Sequence, residues 1–442
     1  MGIQNGKKYM DVVTYTGNGG TQSVGGLDFS PDLVWIKSRT DGSSHQLVDT
    51  VRGPRLRLCS NTTQEELNAD NVTSFNSDGF TVGSSGGVNG AQDYVAWCWS
   101  AGDETVTNNE GTIESQVRSN GTFSVVKYSP TASGSQSFGH GLDNPVNFVI
   151  VKPLDRSANW SVGSSALPNW SYAPNLDLTN GASGGDLLWD QQAPDSSVVY
   201  INAANSLYTN EEYIAYCWAD SPTQKFGSYT GNGVSSFIYT GFKPTFIMVK
   251  RTDAADEWQM YDYKRNLSNP RITLVNAQSA QEEVSSTYWG VDFLSNGFQA
   301  ITADNGTNAD GGTYIYMAFA DESFIPEPQS TEVTLSGTAD FDNLAIGNTV
   351  TQPSTGESGV IASKDENTNK ITLTGAVSMD TGTPLTSVLD GSGEVVSYDV
   401  ATNSMVVTNV VGGFAVDAGK TVEGSIRRLP KYQSETAVLT GV

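Results

Sequence analysis

One set of landmarks occurs three times along the chain, and a polypeptide that repeats itself in this way folds one supersecondary unit several times over. The first unit opens at Tyr15-Thr16-Gly17-Asn18-Gly19 and the third at Tyr229-Thr230-Gly231-Asn232-Gly233. Each continues through a Gly-rich turn and a proline into an apolar run that ends in lysine: Leu33 to Lys37 after Pro31, and Phe246 to Lys250 after Pro244. A middle unit keeps the plan more loosely, with Tyr128 near its start and Pro145 leading to Lys152. All three close on a similar string, Tyr94 to Trp99, Tyr213 to Trp218 and Tyr314 to Phe319. Units one and three also share Asp49 with Arg52 and Asp262 with Arg265, Pro54-Arg55 and Pro270-Arg271, and the turns at Ser77 to Phe80 and Ser295 to Phe298. The middle unit lacks the Asp and Arg pair and carries a Trp-rich insert instead.

Short apolar runs bounded by Gly, Pro, Asn and Asp read as strands. In the closing strings Val95, Trp97 and Trp99 alternate with Tyr94, Ala96 and Cys98, so both faces are apolar and the strand is central between two layers. Helical spacing is not sustained over three turns, and Thr62 to Asn68 is the best local candidate for a helix. The expected fold is all-β: tandem antiparallel β-sandwich repeats, jelly-roll- or lectin-like, at 1–110, 111–224 and 225–325. Phe324-Ile325-Pro326-Glu327-Pro328 opens an extended linker at 326–330. Beyond it aromatics nearly vanish, and Val333 to Gly337 matches Ile371 to Gly375, so 331–442 reads as a small separate β-domain with a hairpin turn at 365–369.

Composition limits the partners. With 24 Lys plus Arg against 48 Asp plus Glu the formal charge is -24, the wrong sign for displacing counterions from phosphate, so a nucleic-acid partner is excluded. The opening residues lack the apolar stretch of a secretory signal, no run is apolar enough to insert in a membrane, and the chain is expected to be soluble.

Few residue types here invite chemistry. Cys98 and Cys217 share a slot that holds Ala318, and Cys59 aligns with Val275, so the thiols read as small interior groups. His45 and His140 are the two histidines, both in polar or glycine-flanked turns, and they read as surface residues without partners at ligand spacing. Glu65-Glu66 and Glu282-Glu283 recur between repeats, which favours a shared structural turn over a catalytic pair, and Asp253, Asp256 and Glu257 form an undistinguished loop cluster. Asp304 to Asp310 supplies oxygen ligands without the spacing of a calcium loop and reads as a turn. No cofactor or metal is expected. Asp49 with Arg52 and Asp262 with Arg265 read as buried structural ion pairs, with ligand binding as the alternative. Trp160, Trp170, Tyr172 and Trp189 sit among Ser, Asn, Gly and Pro; they are either a stacking surface for a sugar or receptor, or anchors of long loops.

The string from Asp32 to Lys37, then Asp49 to Gly53, Ser60 to Thr63, Thr73 to Gly83 and the closing Tyr94 to Trp99 resembles a domain of unknown function common in structural proteins of marine and cyanobacterial bacteriophages. The likeness covers 12–103 and reaches 226–321 more loosely, and the tail string Gly337 to Gly347 resembles a β-module that accompanies such domains. The resemblance implies a non-enzymatic virion protein on the exposed surface of the particle, in a tail fibre or receptor-binding appendage for host attachment. It further implies a homo-oligomer, most plausibly a trimer, working with other virion proteins; a host surface glycan is a further candidate partner, on the stacking reading of the tryptophans. A capsid decoration protein is the alternative, since a sandwich beginning at residue 12 leaves little N-terminal stretch for docking a fibre. A polysaccharide depolymerase is the third reading.

Overall fold

The computed structural model describes residues 2–325 apart from 186–187 and 204–207, with side chains from 5 to 321, and beyond 325 the strands alone. The chain is all-β and antiparallel, and it separates into Ile3–Phe324 and a second unit that takes in residues 325–442.

Within the first of these, each repeat is a large sheet facing a small one. In unit 1 the large sheet runs Met10–Thr16, Asp93–Trp99, Leu33–Ser38, Gln46–Asp49, and the small sheet Gln22–Gly25, Gly79–Val82, Val72–Asn76. Unit 3 repeats both orders, beginning Gln224–Thr230, Thr313–Ala320, Pro244–Arg251, Trp258–Asp262 and facing Ser236–Tyr239, Gly297–Ala300, Val291–Leu294. In unit 2 the large sheet is extended by Thr105–Asn108 and Ser115–Ser119 ahead of Phe123–Tyr128, so the junction with unit 1 lies before Thr105 and not at residue 110. Among the described residues the small sheet of unit 2 has two strands, Ser135–Gly139 and Val198–Asn202.

Because every closing strand is apolar on both faces, it must be covered twice. One face packs inside its own sandwich, where Tyr94, Ala96 and Cys98 meet Val24, Val72, Phe80 and Val82. The opposite faces of all three large sheets converge on a single core, in which Trp97 and Trp99 join Tyr216, Trp218, Phe246, Met317 and Phe319. At its centre Trp99 lies 6.2 Å from Trp218 and 5.7 Å from Phe319 between ring centroids. The repeats are therefore not beads on a string but three wedges of one body. At ~25 cal/mol per Å², an aromatic side chain that buries ~200 Å² in this core contributes ~5 kcal/mol.

The opening motif serves this packing. Tyr15 stacks on Tyr94 at 5.1 Å and Tyr229 on Tyr314 at 4.9 Å. Gly17 and Gly231 press against the carbonyls of Gly90 and Ala309, leaving no room for a Cβ, while Gly19 and Gly233 take φ of 74° and 70°. Both loops are held by a buried asparagine of a one-turn helix, Asn89 of Gly86–Asn89 and Asn308 of Asn305–Asn308, which accept from the amides of Asn18 and Asn232. The stretch Thr62 to Asn68 is not helical. Its polar backbone is spent on unit 2, with the Thr63 carbonyl accepting from the Ala158 amide and Lys152, and the Glu66 amide donating to Leu154.

In the second unit the described strands form one antiparallel sheet, in which Ser330–Thr334 pairs with Lys370–Thr374 and places Val333 opposite Ile371. Asp365 and Lys370 pair across a hairpin. Residues 326–329 of the linker, 366–369 of the turn and the Gly337 to Gly347 string lie outside the described residues.

Candidate functional site

The residue types that could react are walled in. Cys98 and Cys217 are completely buried in separate sandwiches and Cys59 is nearly so. Burial raises all three thiols, Cys98 and Cys217 far above the ordinary range and Cys59 less, so none is primed as a thiolate. The sheet register puts Leu58 opposite Leu47 where Val275 lies opposite Met260, so Val275 corresponds to Leu58, and Cys59 to Asn276, one residue from the alignment the prolines suggest.

His45 and His140 are both fully buried rather than surface turn residues, because each ring is enclosed by backbone partners. Trp35 Nε1 donates to His45 Nδ1 at 2.8 Å, which leaves the proton on Nε2 to bond the Asn276 carbonyl of unit 3 at 3.1 Å. Burial first, then the Lys37 charge, pushes this imidazole down to about 3. In His140, Nδ1 accepts from the Leu142 amide at 3.0 Å and burial lowers the pKa.

Register explains His45. Its position matches Trp160 in unit 2 and Trp258 in unit 3, since Leu47, Val162 and Met260 lie opposite Trp35, Ile150 and Met248. Trp160 Nε1 donates to the Cys59 carbonyl of unit 1 and Trp258 Nε1 to the Asn175 carbonyl of unit 2, both at 2.9 Å. Three side-chain N–H groups thus reach from each unit to the unit before it, and the ring of bonds closes on itself.

The ion pairs mark two of the three junctions. Arg52 Nε meets Asp49 Oδ2 at 2.5 Å and Arg265 Nε meets Asp262 Oδ2 at 2.6 Å, all four side chains buried. Glu66 and Glu283 complete the two guanidinium shells at 3.1 and 3.4 Å, which accounts for the recurring Glu pairs. Each aspartate also accepts from the closing strand of a neighbouring unit. Tyr216 Oη donates to Asp49 Oδ2 at 2.8 Å, and Trp97 Nε1 to Asp262 Oδ2 at 3.1 Å. Burial raises the Tyr216 hydroxyl well above its ordinary range, so it stays a donor. At the third junction the corresponding residues are Ser164, Leu167 and Met317, so aspartate, arginine and donor have been exchanged together for an uncharged set. The repeated lysines are buried too: Lys152 donates to Thr63 and Ala158 carbonyls, Lys250 to Thr179 and Asp256, Lys37 to Ser38 and Asp41, and burial lowers each to about 8.

The Trp-rich insert does not form a stacking surface, which corrects that expectation. Trp160 and Trp189 are fully buried and Trp170 is 7% exposed, while Tyr172 packs half-buried against the shared core. Trp170 and Trp189 fill the sandwich of unit 2, where units 1 and 3 have a third small-sheet strand. Gly163 makes the space: it stands where Val48 and Tyr261 stand in the sister units, and a Cβ there would lie 2.6 Å from Trp170 and 2.8 Å from Trp189.

Asp304 is buried at the start of its one-turn helix, accepting from Gln259 and Thr307, and so serves a turn. Among the described residues no group of three or more His, Cys, Asp or Glu is placed to hold a metal ion, and no helix is long and apolar enough to cross a membrane.

The outer faces of the small sheets differ between the units. In unit 1 that face carries Ser23, Gly25, Thr81 and Asn76, linked by Ser23–Thr81 and Asn76–Thr81 contacts of 3.3 and 3.1 Å. In unit 2 the edge beside Ser137 and Phe138 is taken by the chain's own Gly111 to Ile113. In unit 3 the matching positions are Phe237 and Tyr239, 48% and 57% exposed, opposite Gln299 and Gly297. No signal in composition or periodicity marked this pair; only comparison of registers between copies isolates it.

No curated protein matches the chain, and no solved structure matches it. One family model, described as a domain of unknown function (DUF7483), matches residues 5–323, a span that takes in all three wedges and not one repeat. On that match the chain belongs to the DUF7483 family.

Proposed function

We propose that this protein is a non-enzymatic component of a bacteriophage particle, displayed on the surface of the virion in a tail fibre or receptor-binding appendage and acting in host attachment. The observation that carries the reading is the distribution of side chains. The thiols are buried and the imidazoles are held in structural hydrogen bonds, whereas two exposed aromatics, Phe237 and Tyr239, stand side by side on one outer sheet face, an arrangement suited to binding and not to turnover. The resemblance of 12–103 to a domain of phage structural proteins supplies the particle. Its partners in this reading are other virion proteins and further copies of the chain, the trimer being the state that resemblance implies.

A second reading, a capsid decoration protein bracing the head lattice, is favoured by the threefold arrangement of wedges, which fits a lattice point where three subunits meet. Locating the chain in images of the purified virion tests both. Density on the tail is expected; density on the head lattice and none on the tail ends the fibre reading, and absence from the particle ends both. A loss of polymer length when the purified protein is incubated with host surface polysaccharide would overturn the non-enzymatic part.

A further inference from the structure

We infer that the outer face of the small sheet of unit 3 is a binding platform for a neutral glycan, with Phe237 and Tyr239 as its stacking surfaces. The inference rests on the attachment reading above and names the surface and ligand class for it.

The sister units act as internal controls. Ser236–Tyr239 pairs with Gly297–Ala300 in the register by which Gln22–Gly25 pairs with Gly79–Val82 and Ser135–Gly139 with Val198–Asn202. The positions of Phe237 and Tyr239 therefore hold Ser23 and Gly25 in unit 1, and Ser137 and Gly139 in unit 2. The sandwich folds with a small polar residue and a glycine there, so two exposed rings are not a requirement of the fold. Val234 is also exposed, which places three of the large exposed apolar residues within one six-residue stretch.

The chemistry of the face selects the ligand. Side chains at alternate strand positions point the same way and stand ~7 Å apart, so the rings offer two adjacent platforms for the C–H faces of sugars. Gly297 lies opposite Tyr239, and the Phe237 ring comes within 3.1 Å of where its Cβ would be, so the aromatic lies over bare backbone. Gln299 and Asp292 continue the Phe237 row across the sheet; the Gln299 amide nitrogen donates to Ser235 Oγ, so the row faces sugar hydroxyls mainly with acceptor oxygens. Asp292 is the ionisable group in that row, and with a chain charge of -24 it disfavours anionic sugars. A protein partner would need ~800 Å² on each side. Two rings with polar neighbours fall far short of that, whereas one or two sugar rings are covered by them.

The test uses the full chain and neutral glucan, mannan and galactan oligosaccharides, read by saturation transfer from protein to sugar C–H protons and by titration. At least one of the three is expected to bind with Kd about 1 mM. In Phe237→Ser with Tyr239→Gly, the pair found in unit 1, binding should weaken at least tenfold with the unfolding midpoint unchanged. Binding that survives in this variant, or transfer to none of the three sugars, overturns the platform. Particles carrying the variant are then compared for adsorption. Loss of sugar binding with full adsorption would leave the platform in place and count against the attachment reading, while adsorption that depends on the protein without any sugar binding would leave that reading standing and remove the platform.

Discussion

Replacing Arg52 by leucine alone should be among the most damaging single changes in the body, and replacing its whole constellation should be far milder. Arg52→Leu leaves Asp49 buried with its charge facing only Tyr216 and backbone, removes the guanidinium from Glu66 and from the Leu56 carbonyl, and leaves the Leu47 carbonyl with the Leu58 amide alone. Breaking a buried ion pair by removing one partner costs ~3–5 kcal/mol. The triple variant Asp49→Ser, Arg52→Leu, Tyr216→Met copies the third junction, where Ser164, Leu167 and Met317 occupy the same register positions. It removes the buried Asp49 charge and the hydroxyl together, leaving the partly exposed Glu66 and the Leu56 carbonyl without the guanidinium as the main deficit, so its cost should be ~1–2 kcal/mol. Urea unfolding of the full chain, followed by tryptophan fluorescence with a check for constant slope, gives each value. The single changes should be strongly non-additive, with the triple more stable than Arg52→Leu. A triple variant as unstable as the sum of its singles would refute both the equivalence of the junctions and the claim that this one can be exchanged as a set.

Three further outcomes are expected. His45 has a folded pKa of about 3, below the unfolded value of about 6.5, so between those values the unfolded chain binds the proton and the folded one does not. Stability from this residue therefore falls on acidification, by ~2 kcal/mol from pH 6.5 to 5.0, and a difference of that size should disappear when the wild-type unfolding profile is compared with His45→Gln. Gly163→Val, which installs the residue found at Val48, should destabilise by ~1–3 kcal/mol in thermal melts because Trp170 and Trp189 already occupy the space. Trp160→Phe and Trp258→Phe should each cost ~0.5–1.5 kcal/mol by removing the indole donor from the Cys59 or Asn175 carbonyl, which keep only the longer bonds from the Thr62 and Leu178 amides; unchanged melts for both would refute a stabilising role for these bonds between units.

Much of the sandwich was legible from the primary structure because its signals are local. A strand with two apolar faces has to be central, and a charged pair kept at fixed spacing while its neighbours change has to be held in place. The fusion of the repeats was not legible: Val95, Trp97 and Trp99 show that a layer covers them, but not that it belongs to the next two copies. Trp160 and His45 look unrelated in sequence, and only the register reveals that an indole and an imidazole perform the same bond. The two one-turn helices escaped notice because their strings are rich in Gly and Asn, residues that disfavour longer helices yet suit a single turn. The exposed pair at Phe237 and Tyr239 sits in an alternating strand of ordinary appearance, and nothing in one copy marks it until the other two are laid beside it.

A homotrimer is obliged to present any ligand pocket in triplicate, whereas joining its three parts in one polypeptide frees each to evolve a different exterior. This chain has used that freedom, since only one of its wedges bears the paired rings. If those rings are the proposed glycan platform, each chain would offer a single weak grip, and firm adhesion would have to come from many copies arrayed together on one carrier.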